Sequence, residues 1–361
     1  MKKKIAIFID SMNGGGAEKV VLFLAEALQG LGHEVILFVL HKRVEYVLPV
    51  TLPVHYLHHD PKSKTKGWLN RQSQAGKLRQ QVDKVQQYGK FDLFLVNLEE
   101  SYRIVSACHF SPCFYVIHNS LEETLQRTKR LGPLQYYYLR RQIGYLNNKN
   151  LIAVSYGVED EIKASQLIRP ASTQTIYNPF DVAKIKQLAA LPDTSIPKAK
   201  YIIHIGRFAK QKRYDILLSA FKQVSEEYLL VCLCGNTQKL KRMAEKMGLK
   251  SRLIAPGFVQ NPYSWIKQAK LLVLSSDYEG FGNVLVEAII CETPVVSTNC
   301  PHGPNEILTG TLVNNLVPRG DPDKLADKIN QLLKDRTNLS NPEILKKVQA
   351  VDIAQQYLGL I

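Results

Sequence analysis

A chain of 361 residues, 45% hydrophobic and 22% charged, is long enough to bury two cores, and it contains no apolar run near the ~18 residues that crossing a bilayer requires. Lys and Arg outnumber Asp and Glu by 47 to 32, and the resulting formal charge of +15 predicts an anionic partner or surface. Six cysteines (Cys108, Cys113, Cys232, Cys234, Cys291, Cys300) form no CxxC pair and have no finger-like histidines, which argues against a zinc site or a disulfide framework and predicts reduced thiols in a cytoplasmic protein.

The chain opens "MKKKIAIFID": three lysines precede five apolar residues, too short an apolar region for a secretory signal, so a strand is predicted at 5–9. A glycine loop, "DSMNGGGAEK", follows. The next stretch has helical spacing in Val20, Val21, Leu24, Ala27, Leu28 and Leu31, closed by Gly30 and Gly32. "HEVILFVL" at 33–40 is continuously apolar, as a parallel strand covered on both faces must be. Further strands fit "FDLFLVNL", "PCFYVIHN" and "NLIAVS". Residues 170–200, with Pro170, Pro179, Pro192 and Pro197, are softer and predict a linker. A second alternation then begins with "YIIHIG" and continues through "YLLVCLCG", "AKLLVLSS" and "TPVVST". The class is α/β, two doubly wound Rossmann-like domains over about 1–178 and 179–342. The last stretch has helical periodicity, with a helix expected over about 343–361 that can lie back across the first domain.

Ligands of doubly wound sheets sit outside the carboxyl ends of the strands, so residues just past strands are the candidates. In "NGGGAEK" the third glycine of a dinucleotide fingerprint is replaced by Lys19, and the following strand ends at Leu40 and His41, where a ribose-binding acid belongs; nicotinamide binding is disfavoured. Backbone amides at a helix N-terminus still suit a phosphate or diphosphate, although a plain turn would look the same. In "HIGRFAKQKRYDILLSAF", Arg207 and Lys212 can neutralise a departing diphosphate, against the plainer reading of a basic surface loop shared with Lys210, Arg213 and Lys222. His118 follows "CFYVI", a strand-end position open to either a structural or a site role. In "SSDYEGFGNVLVEA", Glu279 lies on a loop and Glu287 inside the next helix, Gly280 and Gly282 allow close backbone approach, and Asn283 is expected to cap the helix. "DPD" at 321–323 is read as Asp321 capping a helix with Pro322 in its first turn, and no metal is expected.

In this order the motifs resemble family 4 retaining glycosyltransferases of the GT-B fold, in which two Rossmann-like domains face each other across a deep cleft. "EGFGNVLVEA" is similar to the family's E-x7-E motif, and "GRFAKQK", "GFVQNP" and "CPHGPNEIL" support it. The resemblance implies that Glu279 meets hydroxyls of the donor sugar and Glu287 the nucleotide ribose. It also implies contacts from Gly280, Phe281, Gly282 and Asn283 to sugar and diphosphate, with Arg207, Lys212 and Gly16 on the diphosphate and His118 near the anomeric carbon. The base is placed near Ile254 to Phe258. Arg213 stands where the family often has glycine, a departure that bears on loop shape. The implied donor is a UDP-linked hexose or N-acetylhexosamine, with no metal or other cofactor. The implied acceptor is a lipid-linked glycan or lipopolysaccharide.

Two stretches, 61–82 and 124–150, carry six basic residues each and no acid, the second with Tyr136, Tyr137, Tyr138 and Tyr145. Basic residues beside aromatics and leucines fit an anionic membrane surface, so peripheral binding at the inner face of the cytoplasmic membrane is expected. A GDP-mannose-dependent transferase is the nearest alternative. A nicotinamide oxidoreductase and a basic nucleic-acid-binding protein are alternatives of other classes, the second without any recognised nucleic-acid motif, so no nucleic-acid partner is expected.

Overall fold

The structure is a computed structural model that describes residues 1–60, 70–335 and 343–361. The chain divides into two compact units, one of Met1–Phe180 with Ala350–Ile361 and one of Asp181–Gln349.

The first unit holds seven strands: β1 (Lys4–Ile9), β2 (Glu34–His41), β3 (Val54–His58), β4 (Leu93–Asn97), β5 (Cys113–Ile117), β6 (Asn150–Ala153) and β7 (Ser172–Thr175). They pair in parallel in the order β3-β2-β1-β4-β5-β6-β7. Ile7 lies beside Leu37 on one side and Leu95 on the other, and all three are fully buried because helices cover both faces. Chain order runs outward from β1 to β3 and then reverses to β4, so the switch point lies between β1 and β4. One face is filled by stacked rings: Phe8 lies 5.2 Å from Phe38 and 5.7 Å from Phe110.

The second unit has β8 (Tyr201–Ile205), β9 (Leu229–Leu233), β10 (Leu253–Ile254), β11 (Leu271–Leu274), β12 (Val295–Thr298) and β13 (Leu316–Val317) in the parallel order β10-β9-β8-β11-β12-β13. Its switch point lies between β8 and β11. Trp265, 1% exposed, anchors one side, its indole N–H donating to Asp193 at 2.9 Å and its carbonyl accepting from the Tyr201 hydroxyl at 2.6 Å.

Several expectations need correction. The segment 170–200 is not simply a linker, because it contains β7 and the helix Val182–Ala189. β7 reads "STQT", a half-exposed edge strand with no apolar run to reveal it. The single C-terminal helix expected over 343–361 is two helices. Ile344–Lys347 stays with the second unit, and Ala350–Leu358 joins the first, where the Ala350 N–H donates to Phe180 O at 3.0 Å. Asn283 is not the cap of its helix: Gly282, with φ 95° and ψ 48°, takes that position without a side-chain bond. Asp321 does cap Pro322–Lys334, accepting from Lys324 N at 2.9 Å. Among the described residues no helix is long and apolar enough to cross a membrane.

Candidate active site

The second unit places two loops at its switch point. The first leaves β8 at Gly206 and reaches the helix Tyr214–Phe221 through the short turn Lys210–Lys212. Arg207 lies exposed at its start, directly past the strand. The second leaves β11 at Ser275 and enters the helix Asn283–Ile290. Sequence alone could not say that these loops meet. Lys212 Nζ lies 2.6 Å from Glu279 Oε1, a charged pair whose side chains are 16% and 9% exposed. A pair this dry needs a counter-charge at each end, since either partner left alone would be strongly penalised.

Four further bonds hold the loops in register. Ser275 Oγ donates to Lys212 O at 2.8 Å, Asp277 N donates to Gln211 O at 2.8 Å, and Gln211 Nε2 donates to Tyr278 O at 2.7 Å. Arg213 Nη1 donates to Asp277 Oδ1 at 2.8 Å. Beneath them the Lys212 stem crosses Gly206, where a Cβ would sit 3.2 Å from Lys212 Cε. His204 is fully buried on β8, its ring 4.8 Å from that of Tyr214, and burial lowers its pKa to about 4, so it is neutral at pH 7.

A third loop locks the second. Glu279 N donates to Pro301 O at 3.1 Å, and Gly303 packs so closely on Phe281 that a Cβ would fall 1.8 Å from Phe281 O. Phe281 and Glu287 are each 2% exposed. The helix Asn283–Ile290 starts at this loop, so its dipole adds partial positive charge there. Arg207, Lys212, Glu279, Gly280, Phe281, Gly282, Asn283 and Glu287 thus occupy two switch-point loops and the helix that follows the second, Glu287 in that helix's middle. Gln211, Ser275 and Asp277 were not singled out in the sequence; their signal was polar residues in the loops that follow strands, which every loop shows.

In the first unit His118 follows β5, and its Nε2 lies 2.8 Å from Asn97 Oδ1 at the end of β4. Burial lowers its pKa to about 4, leaving a neutral imidazole at pH 7. Asp10 directly follows β1 and accepts from Ser101 N and Ser101 Oγ, each at 2.7 Å. Its pKa is raised to about 8, by burial first and then by Glu99. Gly16 is the first residue of the helix Gly16–Gly30, and the Glu18 side chain folds over Gly15, where a Cβ would meet Glu18 Oε2 at 2.1 Å. That N-terminus already has a carboxylate beside it, an anion in the position where helix amides favour one.

No two of the six cysteines are joined in a disulfide, and burial pushes the thiols of Cys108 and Cys113 up to about 12. Among the described residues no three or more His, Cys, Asp or Glu side chains gather as a metal would require.

Comparison with known proteins agrees with this architecture. Residues 14–184 match the model of Glycosyltransferase Family 4, and residues 191–347 that of Glycosyl transferases group 1. The N-acetylgalactosamine-N,N'-diacetylbacillosaminyl-diphospho-undecaprenol 4-alpha-N-acetylgalactosaminyltransferase of Campylobacter jejuni is 25% identical over 347 residues, 92% of this chain and 91% of that one. Among solved structures, Anabaena Alr3699/HepE in complex with UDP and glucose superposes with a TM-score of 0.75 at 20% identity, covering 99% of both chains. Sucrose-phosphate synthase from Thermosynechococcus elongatus gives 0.78 at 19% identity, covering 99% of this chain and 98% of that one. With two parallel α/β units, paired switch-point loops and both halves matched, the chain belongs to the family 4-like glycosyltransferases of the GT-B fold.

Proposed function

We propose that this glycosyltransferase moves a hexose or N-acetylhexosamine from a UDP-sugar to a lipid-linked glycan or lipopolysaccharide acceptor, with retention at the anomeric carbon and without a metal. The Lys212–Glu279 pair at the β8/β11 switch point carries the reading. Lys212, with Arg207 on the same loop, offsets charge growing on the departing diphosphate, and main-chain amides of Gly280–Asn283 add donors. Glu279 takes hydroxyls of the donor sugar and Glu287 the ribose diol. Neither acid is required as a nucleophile. In front-face attack the leaving phosphate oxygen accepts the acceptor's proton, and the protein's work is placement and charge stabilisation. His118 and Gly16 are given the sugar and the diphosphate on the family resemblance alone. The UDP assignment is supported by the UDP bound in the HepE structure, and the acceptor class by the undecaprenol in the name of the Campylobacter relative.

UDP-, GDP- and ADP-sugars tested by thermal shift in EDTA give the first measurement. A ligand at about 100 times its Kd adds roughly 2.7 kcal/mol, a rise of several degrees. The rise is expected with UDP-hexose or UDP-N-acetylhexosamine. A response to GDP-mannose alone moves the assignment to a mannosyltransferase, and no response to any nucleotide sugar overturns it.

Attachment to the inner face of the cytoplasmic membrane is part of the same proposal. Leu131, Leu134, Tyr137 and Tyr138 are 55%, 85%, 69% and 47% exposed, on or between the helices Leu121–Lys129 and Pro133–Gly144, beside Arg127, Lys129 and Arg130. Of the other basic stretch, 61–69 lies outside the described residues, and Arg71 is occupied by Arg103 O at 2.7 Å and the Tyr145 ring at 4.3 Å. Each near-surface cation adds about 1 kcal/mol towards anionic lipid. Sedimentation with vesicles containing anionic lipid is expected, weakening as salt rises; indifference to both lipid charge and salt removes the membrane part.

A further inference from the structure

We propose that Arg213 is a positioning residue that fixes the aim of Lys212 and Glu279; this rests on the transferase reading of those two side chains. Arg213 has φ 47° and ψ 53°, the left-handed region that glycine enters freely and other residues enter only when their surroundings hold them there. Its guanidinium supplies the hold. Nε and Nη2 grip Asp215 at 2.9 and 2.8 Å, while Nη1 reaches Asp277 across the switch point at 2.8 Å. Asp277 is fixed from two other directions, by its N–H on Gln211 O at 2.8 Å and by Arg319 Nη1 on its carbonyl at 3.2 Å.

The consequence falls on the neighbours in sequence. Lys212 is one residue before the left-handed turn, and Glu279 is two residues after Asp277. A planar fork that binds one acid on its own helix and a second on the other loop sets the offset between the two backbones. The same offset decides whether Nζ and Oε1 meet at 2.6 Å. Glycine at 213 would make the turn without strain but would leave the loops joined by backbone and neutral bonds and by the Lys212–Glu279 pair itself. Arg213 therefore trades local backbone ease for a fixed distance between the groups assigned to diphosphate and sugar.

The test is steady-state kinetics with the UDP-sugar that the wild-type protein turns over, on Arg213→Gly, Arg213→Lys and Asp277→Asn, each with a melting curve. Arg213→Gly is expected to melt close to wild type, because relief of strain opposes loss of the bridges, yet to lose about tenfold in kcat/KM, misplacement of reacting groups being costly. Arg213→Lys, with one charge and no fork, should fall between them. Asp277→Asn should reproduce the kinetic loss of Arg213→Gly, and the double variant should be no slower than the slower single one, since both act on the same Arg213–Asp277 bridge. Unchanged kcat and KM in Arg213→Gly and Asp277→Asn, or losses that simply add, overturn the positioning role while the transferase reading stands. A wild-type protein that binds no nucleotide sugar overturns both.

Discussion

Gly303→Ala is expected to lower the melting temperature by roughly 5–15 °C and to abolish measurable donor binding. The new methyl would fall 1.8 Å from Phe281 O and 2.5 Å from Phe281 Cα, and backbone cannot step aside as a flexible side chain can. Gly303 also has φ 89° and ψ −56°, so alanine adds conformational strain of about 1–3 kcal/mol to an overpacking cost of about 1–3 kcal/mol. In a unit of this size each kcal/mol moves the midpoint by about 2–4 °C. Relief requires the loop from Glu279 to Gly282 to retreat, and with it the amides assigned to sugar and diphosphate. Gly310→Ala separates strain from contact: its φ is 58° but nothing lies within 4 Å of its Cβ, so a small loss of stability with donor binding kept is expected. Melting curves and donor titrations on both variants decide it. Retained affinity in Gly303→Ala would mean that this close approach does not hold the donor loop.

The strands that were legible in the sequence are those buried on both faces. "IAIFI", "LFLV" and "LLVL" within β1, β4 and β11 are apolar throughout because helices cover both sides. Edges were harder to read. β7 and the half-buried β3 "VHYLH" touch solvent, and β10 and β13 are only two residues long, too short for any periodicity. Breaking the C-terminal helix at Val348 and Gln349 depends on which unit each half packs against, a long-range choice invisible to local spacing.

The site divides in the same way. Glu279, Lys212 and the glycines were candidates in the sequence because ligands of doubly wound sheets sit past the strand ends, and the structure brings Lys212 and Glu279 into contact. Their partners were not visible. Gln211, Ser275 and Asp277 join residues more than 60 positions apart in sequence, and a polar loop residue gives no sign of what it will meet. Gly303 stands in the sequence only as part of "CPHGPNEIL", and the fold alone shows what its missing Cβ avoids.

Breaking the Lys212–Glu279 pair should separate stability from catalysis. Lys212→Met leaves Glu279, 7% exposed, without the cation at 2.6 Å, and loss of one partner of a buried pair costs about 3–5 kcal/mol. Solvent reaches Lys212 enough to place the expected loss at the lower end of that range. Glu279→Gln keeps the shape and loses the charge, so it should cost less. In Lys212→Met/Glu279→Gln neither charge is stranded, and much of the stability should return. Turnover should not follow it. In the proposed reaction Lys212 acts on charge that appears only as the diphosphate leaves, and removing one such group typically lowers kcat by about 10²–10³-fold. The double variant is therefore expected to melt near wild type and remain as slow as Lys212→Met, as urea melts and kcat on one set of proteins would show. Recovery of turnover together with stability would make the pair a structural staple, and the cation at the diphosphate would have to be sought elsewhere on the β8 loop.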